Sequence, residues 1–234
     1  MDIIDQKVNC MICGDEVEYM KESVDSKCHY CGIEEKSYFK CVGGHYVCEN
    51  CHTHDALDVI KNICLNTELK NPMTLAEKML EHPKIHMFGP EHHSLLPAAL
   101  VAAYQNYLGQ KNEKQILEAI ERGKKVPGGF CFLCGACGGG LGVGIAVSVL
   151  SDATAFTPHP RSHANWATSK GLKRVADAGG VRCCKKATRI GVEEGVAYIS
   201  EMFGVDWAKE LDLSVKCKYS DLNKQCDVAC KYRP

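Results

Sequence analysis

The sequence predicts an α+β protein that is mainly α: a small zinc-binding β module of the zinc-ribbon or treble-clef type, followed by a helical domain that carries clustered cysteines. Residues 1–54 alternate cysteines with polar residues and lack helical periodicity, whereas helical patterns begin near residue 55 and continue to the end. Cysteines lie on both sides of this boundary, and the chain has 16 of them. We therefore predict two domains, a zinc-binding module at 1–54 and a helical, iron-sulfur-binding domain at 55–234.

The composition is typical of an ordinary globular protein. Of the 234 residues, 45% are hydrophobic and 24% are charged, and the formal net charge of -1 gives no general reason to expect nucleic acid or a membrane as a partner. Residues 1–6 lack the basic and apolar stretches of a secretory signal, and the apolar run at 141–150 is too short to span a bilayer. We therefore expect a cytoplasmic protein without membrane contact, in which clustered thiols bind metal because disulfides do not persist there.

Helical periodicity predicts a series of helices in the second domain. Asp55 is placed to cap the first helix, whose apolar positions include Cys64 as a core residue. A capping box from Thr74 to Glu77 predicts the start of the second helix, and Pro97 falls in the first turn of a buried third helix. The predicted ranges of this and the following helices are 94–108, 112–122 with a stop at Gly123, 138–150, 162–178 and a last helix around 192–203.

Eight residues of the N-terminal module have the spacing of zinc ligands. Two C-x2-C-G knuckles precede a C-x3-H-x2-C-x2-C stretch. Together these motifs supply enough ligands for two tetrahedral zinc ions. The candidate ligands are Cys10, Cys13, Cys28, Cys31, Cys41, His45, Cys48 and Cys51. The spacing leaves open whether the pairs are used sequentially or in a cross-braced manner. Sites closed by four protein ligands have no free coordination position, so we expect them to stabilise a segment too small to fold on its own core.

The other large group of cysteines begins with C-x2-C-x2-C, the spacing with which a short loop wraps an iron-sulfur cube. A nearby fourth cysteine followed by proline is missing, so the remaining ligands must come from distant segments. The candidates are Cys131, Cys134, Cys137, Cys183, Cys184, Cys217, Cys226 and Cys230. They predict one or two [4Fe-4S] clusters, with a third zinc site or reduced core cysteines as alternatives. Because adjacent side chains diverge, one cluster is expected to use only one of Cys183 and Cys184.

Three further features are candidates for function. The glycine run after Cys137 either offers a helix N-terminus to an anion or allows close helix packing; as a dinucleotide fingerprint it is weak. Glu91, His92 and His93 are the candidate catalytic residues, for substrate binding or proton transfer, with buried capping histidines as the alternative. The basic residues between 170 and 189 have four alternative interpretations. They balance the negative charge of a cluster, bind a protein partner, contact RNA, or form a solvent-exposed helix face.

The motifs as a set resemble a known group of proteins. They are the two knuckles, G-H-Y-V-C-x2-C-H ending at His52, G-P-E-H-H at 89–93, G-x-C-G-G at 135–139, R-C-C-K-K at 182–186 and N-K-x-C at 223–226. Together they resemble a cysteine-rich family of unassigned function from methanogenic archaea and anaerobic bacteria. The resemblance covers nearly the whole chain and implies anaerobic, metal-binding biology without a particular reaction.

These observations favour an iron-sulfur and zinc-binding accessory protein of anaerobic metabolism. We expect an electron-relay, cluster-handling or maturation subunit of a larger redox metalloenzyme assembly, as used in methanogenesis; whether the chain is itself an enzyme stays open. One alternative is a non-redox [4Fe-4S]-dependent enzyme that acts on a small sulfur-containing or anionic substrate. Another is an RNA-binding zinc protein, although aromatic residues for base stacking make up only 7% of the chain.

Overall fold

A computed structural model describes residues 10, 12–13, 15–48, 51, 55–223 and 225–234. Two parts of the sequence analysis lie outside these residues. They are residues 1–6, where we predicted no secretory signal, and His52, the last residue of one motif. The described part confirms the predicted fold class, since it is mainly helical with a small antiparallel sheet near the N-terminus. None of the described helices is both long enough and apolar enough to cross a membrane.

The N-terminal segment forms a two-stranded antiparallel sheet. Strand β1 (Val17–Lys27) pairs with β2 (Glu34–Cys41), with Val17 opposite Cys41 and Lys27 opposite Glu34. The tight turn between the strands contains Cys28 and Cys31, and it closes through Gly32, whose φ of 77° favours glycine. The sheet therefore carries one pair of candidate ligands at the turn, while Cys41 ends β2 at the opposite end.

The helices follow in chain order. They are α1 (Ala56–Asn66), α2 (Pro72–Leu80), α3 (Glu91–Leu108), α4 (Glu113–Lys124), α5 (Phe130–Leu133), α6 (Gly138–Leu150), α7 (Pro158–Asp177), α8 (Cys184–Phe203) and α9 (Trp207–Glu210). As predicted, the Asp55 side chain caps α1 by accepting hydrogen bonds from Leu57 N at 2.9 Å and Asp58 N at 3.1 Å. Cys64 is fully buried in this helix, also as predicted.

Several predicted helix boundaries are wrong, each for a local reason. The capping box at Thr74 is not the start of α2, because Asn71 caps the helix three residues earlier and Pro72 is its first residue. Helix α3 begins at Glu91, so Pro97 lies beyond its first turn. Gly123 does not end α4: the helix continues through it, and its missing side chain leaves room for the backbone of α3, since a Cβ there would lie 2.3 Å from His93 O.

Helix α3 forms the centre of the molecule. Nearly all of its residues from Ser94 to Gln105 are buried, and α1, α2, α4, α6 and α8 pack around it. One continuous cluster of buried side chains runs from these helices to Cys28, Tyr30 and Cys48 in the N-terminal segment. The division of the chain near residue 55 stays a prediction.

The chain after α9 returns across the helices without regular secondary structure in its described residues. Tyr219 Oη donates a hydrogen bond to Leu80 O at 2.9 Å, and Cys217 N donates one to Tyr232 O at 2.6 Å. Tyr232 itself is buried. These contacts bring the last three cysteines next to the N-terminal end of α8.

Candidate metal centres

The eight predicted zinc ligands form two compact groups. Cys10, Cys13, Cys41 and His45 make up the first group, and Cys28, Cys31, Cys48 and Cys51 the second. Within each group the ligand atoms all lie within 4.8 Å of one another. The pairs alternate along the chain, so the arrangement is cross-braced, one of the two that the spacing allowed. Both groups could therefore hold a metal ion.

The first group has the geometry and the donor atoms that a tetrahedral ion requires. The Sγ atoms of Cys13 and Cys41 are 3.4 Å apart, against about 3.8 Å for the edge of a tetrahedron with Zn–S bonds of about 2.3 Å. His45 Nδ1 is buried and has no hydrogen-bond partner among the described residues. A buried polar atom without a partner is unfavourable, and a bound cation would satisfy it.

Two thiols of this group accept hydrogen bonds from the backbone. Gly43 N donates a hydrogen bond to Cys41 Sγ at 3.2 Å, and Ile12 N donates one to Cys10 Sγ at 3.4 Å. Burial acts to raise the pKa of Cys41, but the nearby His45 imidazole and the N–H of Gly43 outweigh it and bring the pKa down to about 7. Backbone N–H groups that approach sulfur in this way stabilise the thiolate form.

The second group is buried in the protein core. Its four cysteines are between 0% and 3% exposed, and the Sγ atoms of Cys31 and Cys48 are 3.6 Å apart. Hydrogen bonds from Cys31 and Cys51 hold the pKa of Cys28 well below its usual range, while the same contacts raise that of Cys51. Four buried sulfurs that share hydrogen bonds with one another are a suitable donor set for a divalent cation.

Side chains of the helical region support this second group. Asn62 Nδ2 on α1 donates a hydrogen bond to Cys51 Sγ at 3.0 Å, and His82 Nε2, after α2, contacts Cys51 O at 2.5 Å. The ring of His82 also packs against Tyr30, with 4.3 Å between the ring centroids. The second group is therefore held by both the sheet segment and the helices.

Seven of the eight C-terminal cysteines line two cavities. Cys183, Cys217, Cys226 and Cys230 line a narrow cavity between the start of α8 and the C-terminal segment, which we call the four-cysteine cavity. Cys131, Cys137 and Cys184 line a cavity of ≈ 470 Å³ beside α6 and α3, which we call the three-cysteine cavity; Cys183 borders it as well. Cys134 is exposed, and its thiol contacts only Phe130 O among the described residues.

The start of α8 explains why the adjacent cysteines separate. Cys183 is the N-cap, and its Sγ accepts a hydrogen bond from Lys186 N at 3.4 Å, whereas Cys184 is the first helical residue. Among the described residues, only the two N-terminal groups bring three or more ligand atoms within 4.8 Å. A third tetrahedral zinc site therefore stays a prediction.

Buried cationic side chains surround the four-cysteine cavity. Lys185, Lys186 and Arg189 line it and are 2%, 8% and 1% exposed. Arg189 forms a bidentate ion pair with Glu77, at 2.7 Å and 2.9 Å. The expectation of a solvated basic helix face is wrong for these three residues.

The two lysines lack this kind of compensation. Lys185 Nζ donates to Leu80 O at 2.6 Å and lies 4.1 Å from the centre of the Tyr219 ring, and Lys186 Nζ donates to Gly179 O at 2.7 Å. Neither has a carboxylate within 4.0 Å in the described part of the chain. Burial lowers the pKa of Lys185 to about 8, so it stays mostly charged at neutral pH. The cavity therefore has an excess of positive charge, because lysine and arginine side chains line it and Asp227 is the only carboxylate among the described residues of its lining.

Glu91 and His92, two of the three catalytic candidates, are occupied by structural contacts. Glu91 is buried and its carboxylate accepts a hydrogen bond from His86 N at 2.9 Å. His92 is 3% exposed, and its Nε2 contacts His86 O at 3.0 Å while its Nδ1 contacts Thr188 Oγ1 at 3.2 Å. Burial lowers the pKa of His92 to about 4, so the imidazole is neutral. Both ring nitrogens of His92 are engaged in hydrogen bonds, as expected for a buried capping histidine rather than a catalytic one.

His93 differs from its neighbour. Its Nδ1 lies 2.9 Å from Val126 O, to which it donates a hydrogen bond, and no hydrogen bond to its Nε2 is present among the described residues. The side chain lines the three-cysteine cavity. Of the three candidates, His93 alone directs a free nitrogen lone pair toward a cavity.

The glycine run at the start of α6 serves close packing. A Cβ on Gly138 would lie 2.0 Å from His93 Cδ2, one on Gly139 would lie 2.5 Å from Ala187 O, and one on Gly144 would lie 1.8 Å from Thr168 Oγ1. The packing alternative is therefore confirmed. An anion at this helix terminus stays a prediction.

Comparison with known proteins identifies a family. The model of DUF5714, described as a family of unknown function, matches residues 60–233. The chain belongs to DUF5714. No curated protein and no solved structure matches it. The range that matches DUF5714 contains all eight C-terminal cysteines, whereas the zinc-ligand candidates precede it. The resemblance to a family of unassigned function is thus confirmed, without any indication of its organisms.

Sequence reasoning missed several residues around these centres. Asn62 and His82 support Cys51 from the helices, and the pairing of Arg189 with Glu77 joins α8 to α2. The density of basic residues at 182–189 next to two cysteines was a usable signal for buried cations. For Asn62 and His82 the sequence contains no comparable signal, because their roles depend on how α1 and α2 pack.

Proposed function

We propose that this protein is a zinc- and iron-sulfur-binding accessory protein that relays electrons or handles clusters within a larger redox metalloenzyme assembly. The observation that carries this proposal is the four-cysteine cavity with its three buried cations. Four thiolates are the usual ligand set of a [4Fe-4S] cluster. Residues from two distant segments, 183 and 217–230, supply them here, and the cysteines of the C-x2-C-x2-C loop are not among them.

Charge balance supports a cluster in this cavity. A cluster held by four thiolates is anionic, and a buried anion needs nearby positive charge. Lys185 and Lys186 provide such charge, since they are buried and have only carbonyl and ring partners in the described residues. An apolar or neutral occupant would leave Asp227, the only carboxylate among the described residues of the lining, to balance both ammonium groups. The net charge around a cluster also tunes its reduction potential, so these lysines would act on its redox behaviour.

The spacing of the ligand atoms supports a cluster over a single ion. The four sulfurs share a cavity but do not come within 4.8 Å as a group, in contrast to both N-terminal groups. A single tetrahedral ion requires short distances between sulfurs, whereas a cube holds its thiolates on separate iron atoms. The two N-terminal groups, which have closed ligand sets, would hold zinc as structural ions.

A relay role requires a cofactor close to a surface where a partner docks. Cys217, Cys226 and Cys230 are partly exposed, and Leu222 and Val228 beside them are 74% and 80% exposed. Exposed apolar side chains next to a cofactor are suited to contact with a protein partner. The RNA-binding alternative has less support, because Lys170, Lys173 and Arg174 pair with acidic residues.

The test is anaerobic purification followed by metal and sulfide analysis of wild-type protein and matched cysteine variants. We expect zinc for the two N-terminal groups, and a loss of about four irons per chain in Cys217→Ser and Cys226→Ser. Cys64→Ser is the control, because Cys64 is buried against Met79 and lines neither cavity. It should retain all iron.

Reduction with dithionite tests the redox role in the same samples. The cluster in the four-cysteine cavity should give an EPR signal in the wild type, and this signal should be missing from Cys217→Ser. Protein that holds zinc but no iron and sulfide, or a cluster that cannot be reduced and reoxidised, would contradict the proposal.

A further inference from the structure

The three-cysteine cavity contains a histidine with the hydrogen bonding of a metal ligand. His93 Nδ1 donates to Val126 O at 2.9 Å, which fixes the tautomer and leaves the lone pair on Nε2. Metal-binding histidines almost always donate their other ring N–H to a carbonyl or carboxylate in this way. Val126 O lies just after α4, so a neighbouring element holds the ring in place.

The cysteines of this cavity are brought to the same ring by helix packing. Cys137 is the N-cap of α6 and Cys184 is the first residue of α8. The next residue after Cys137 is Gly138, where a Cβ would lie 2.7 Å from His93 Nε2, and Gly139 is pressed against the backbone of Ala187 on α8. Cys131, on α5, completes the set. Two helix termini and one short helix thus direct three thiols and one imidazole into one cavity.

From this geometry we propose that Cys131, Cys137, Cys184 and His93 Nε2 ligate a second iron-sulfur cluster, separate from the one in the four-cysteine cavity. Binding releases the three thiol protons, while the imidazole binds in its neutral form. As in the four-cysteine cavity, the ligand atoms are not gathered within 4.8 Å, which favours a cluster over a single ion. The ≈ 470 Å³ of the cavity leaves space for a multi-atom cofactor.

This inference rests on the proposed iron-sulfur function and extends it. One nitrogen ligand in place of a thiolate makes a cluster less negative, and histidine ligation is known to raise reduction potentials. Two clusters with different ligand sets in one chain would differ in potential. That difference gives electron transfer between them a direction.

The experiment isolates the second cluster by removing the first. Cys217→Ser/Cys226→Ser protein is reconstituted anaerobically with equal amounts of ferrous and ferric iron and with sulfide, then reduced with dithionite and examined by pulsed EPR for coupling to nitrogen. We expect about four irons per chain and an imidazole nitrogen coupling. His93→Asn, whose amide can still donate to Val126 O, should keep the fold by circular dichroism but lose the coupling. His93→Cys should keep the irons and lose the coupling, and exposed His159→Ala should change neither.

The outcomes separate the two proposals. If the wild type binds iron but the double variant binds none, only the four-cysteine site exists and this inference is overturned. A single zinc ion in the three-cysteine cavity, or a cluster without nitrogen coupling, also overturns it. Wild-type protein without iron and sulfide overturns the proposed function as well. Should the double variant not fold, the same coupling measured in wild type and His93→Asn labelled with nitrogen-15 histidine decides the question.

Discussion

Glu81 joins three segments that are far apart in sequence. Its carboxylate lies 4.0 Å from His29 Nε2 in the β1–β2 turn and 2.5 Å from Lys218 Nζ in the C-terminal segment, while Glu81 itself ends α2. The nearby His29 ring, together with the ammonium group of Lys218, lowers the pKa of Glu81 from 4.5 to about 2 despite partial burial. A single side chain thus couples both cysteine-rich ends of the chain to the helices.

This shift predicts how stability depends on pH. Because the folded-state pKa of Glu81 lies below its unfolded value, unfolding takes up a proton at acid pH. The stabilising contribution of Glu81 is therefore fully present above pH 4.5 and is lost as the pH falls toward 2. We expect Glu81→Gln to be less stable than wild type at pH 6 and the difference to shrink between pH 5 and pH 3, as measured by urea unfolding at a series of pH values. A difference that does not change with pH would refute the role of the charge.

At the scale of single elements, α6 shows how a helix with poor intrinsic propensity is stabilised by its neighbours. Five of its first seven residues are glycine, which weakens a helix because each has high backbone entropy when unfolded. The same glycines allow α6 to approach α3, α7 and α8 closely, since a Cβ would overlap atoms of Leu96, Leu172 and Ala187. The approach positions Cys137 beside His93.

Substitution of one of these glycines separates propensity from packing. Gly139→Ala would gain about 1 kcal/mol from helix propensity but would bring its Cβ within 2.5 Å of Ala187 O, a backbone atom. We expect a net destabilisation of roughly 1–3 kcal/mol, the usual range for overpacking, measured by denaturant unfolding. Gly128→Ala is the control, because no atom lies within 4 Å of its added Cβ. Equal stability of the two variants would argue against close packing of α6 on α8.

For the molecule as a whole, the two groups of candidate zinc ligands have different surroundings, although their ligands are similarly spaced along the sequence. The group of Cys28, Cys31, Cys48 and Cys51 belongs to the same buried cluster as α1, α2 and α3. In the other group Cys13 is exposed, and His45 is only partly buried. Loss of metal should therefore spread into the helices from the buried group more than from the outer one.

A matched pair of variants tests this difference. Cys31→Ser removes one ligand from the buried group and Cys13→Ser one from the outer group. We expect Cys31→Ser to lower the Tm of the helical signal in circular dichroism by roughly 5–10 °C, corresponding to a few kcal/mol, and Cys13→Ser by less than half of that. Zinc content would be measured in parallel. Equal shifts, or a larger one for Cys13→Ser, would show that the sheet segment and the helices respond to metal as one unit.

The sequence by itself determined the fold class, the cap of α1, the buried nature of α3 and which residues are candidate ligands. These features depend on local signals: the period of apolar residues, a capping side chain and the spacing of cysteines along a few residues. Helix boundaries at Asn71 and Gly123 were missed because a competing cap and a packing contact override the local pattern.

Only the tertiary structure decided how the candidates combine. Cross-braced pairing depends on the return of β2 to the start of β1, and the division of Cys183 from Cys184 depends on where α8 begins. Adjacent His92 and His93 received different environments because one faces Thr188 on α8 and the other faces Val126 after α4. Ligand sets assembled from segments a hundred residues apart leave no trace in local spacing, since chain connectivity does not fix which distant surfaces pack together.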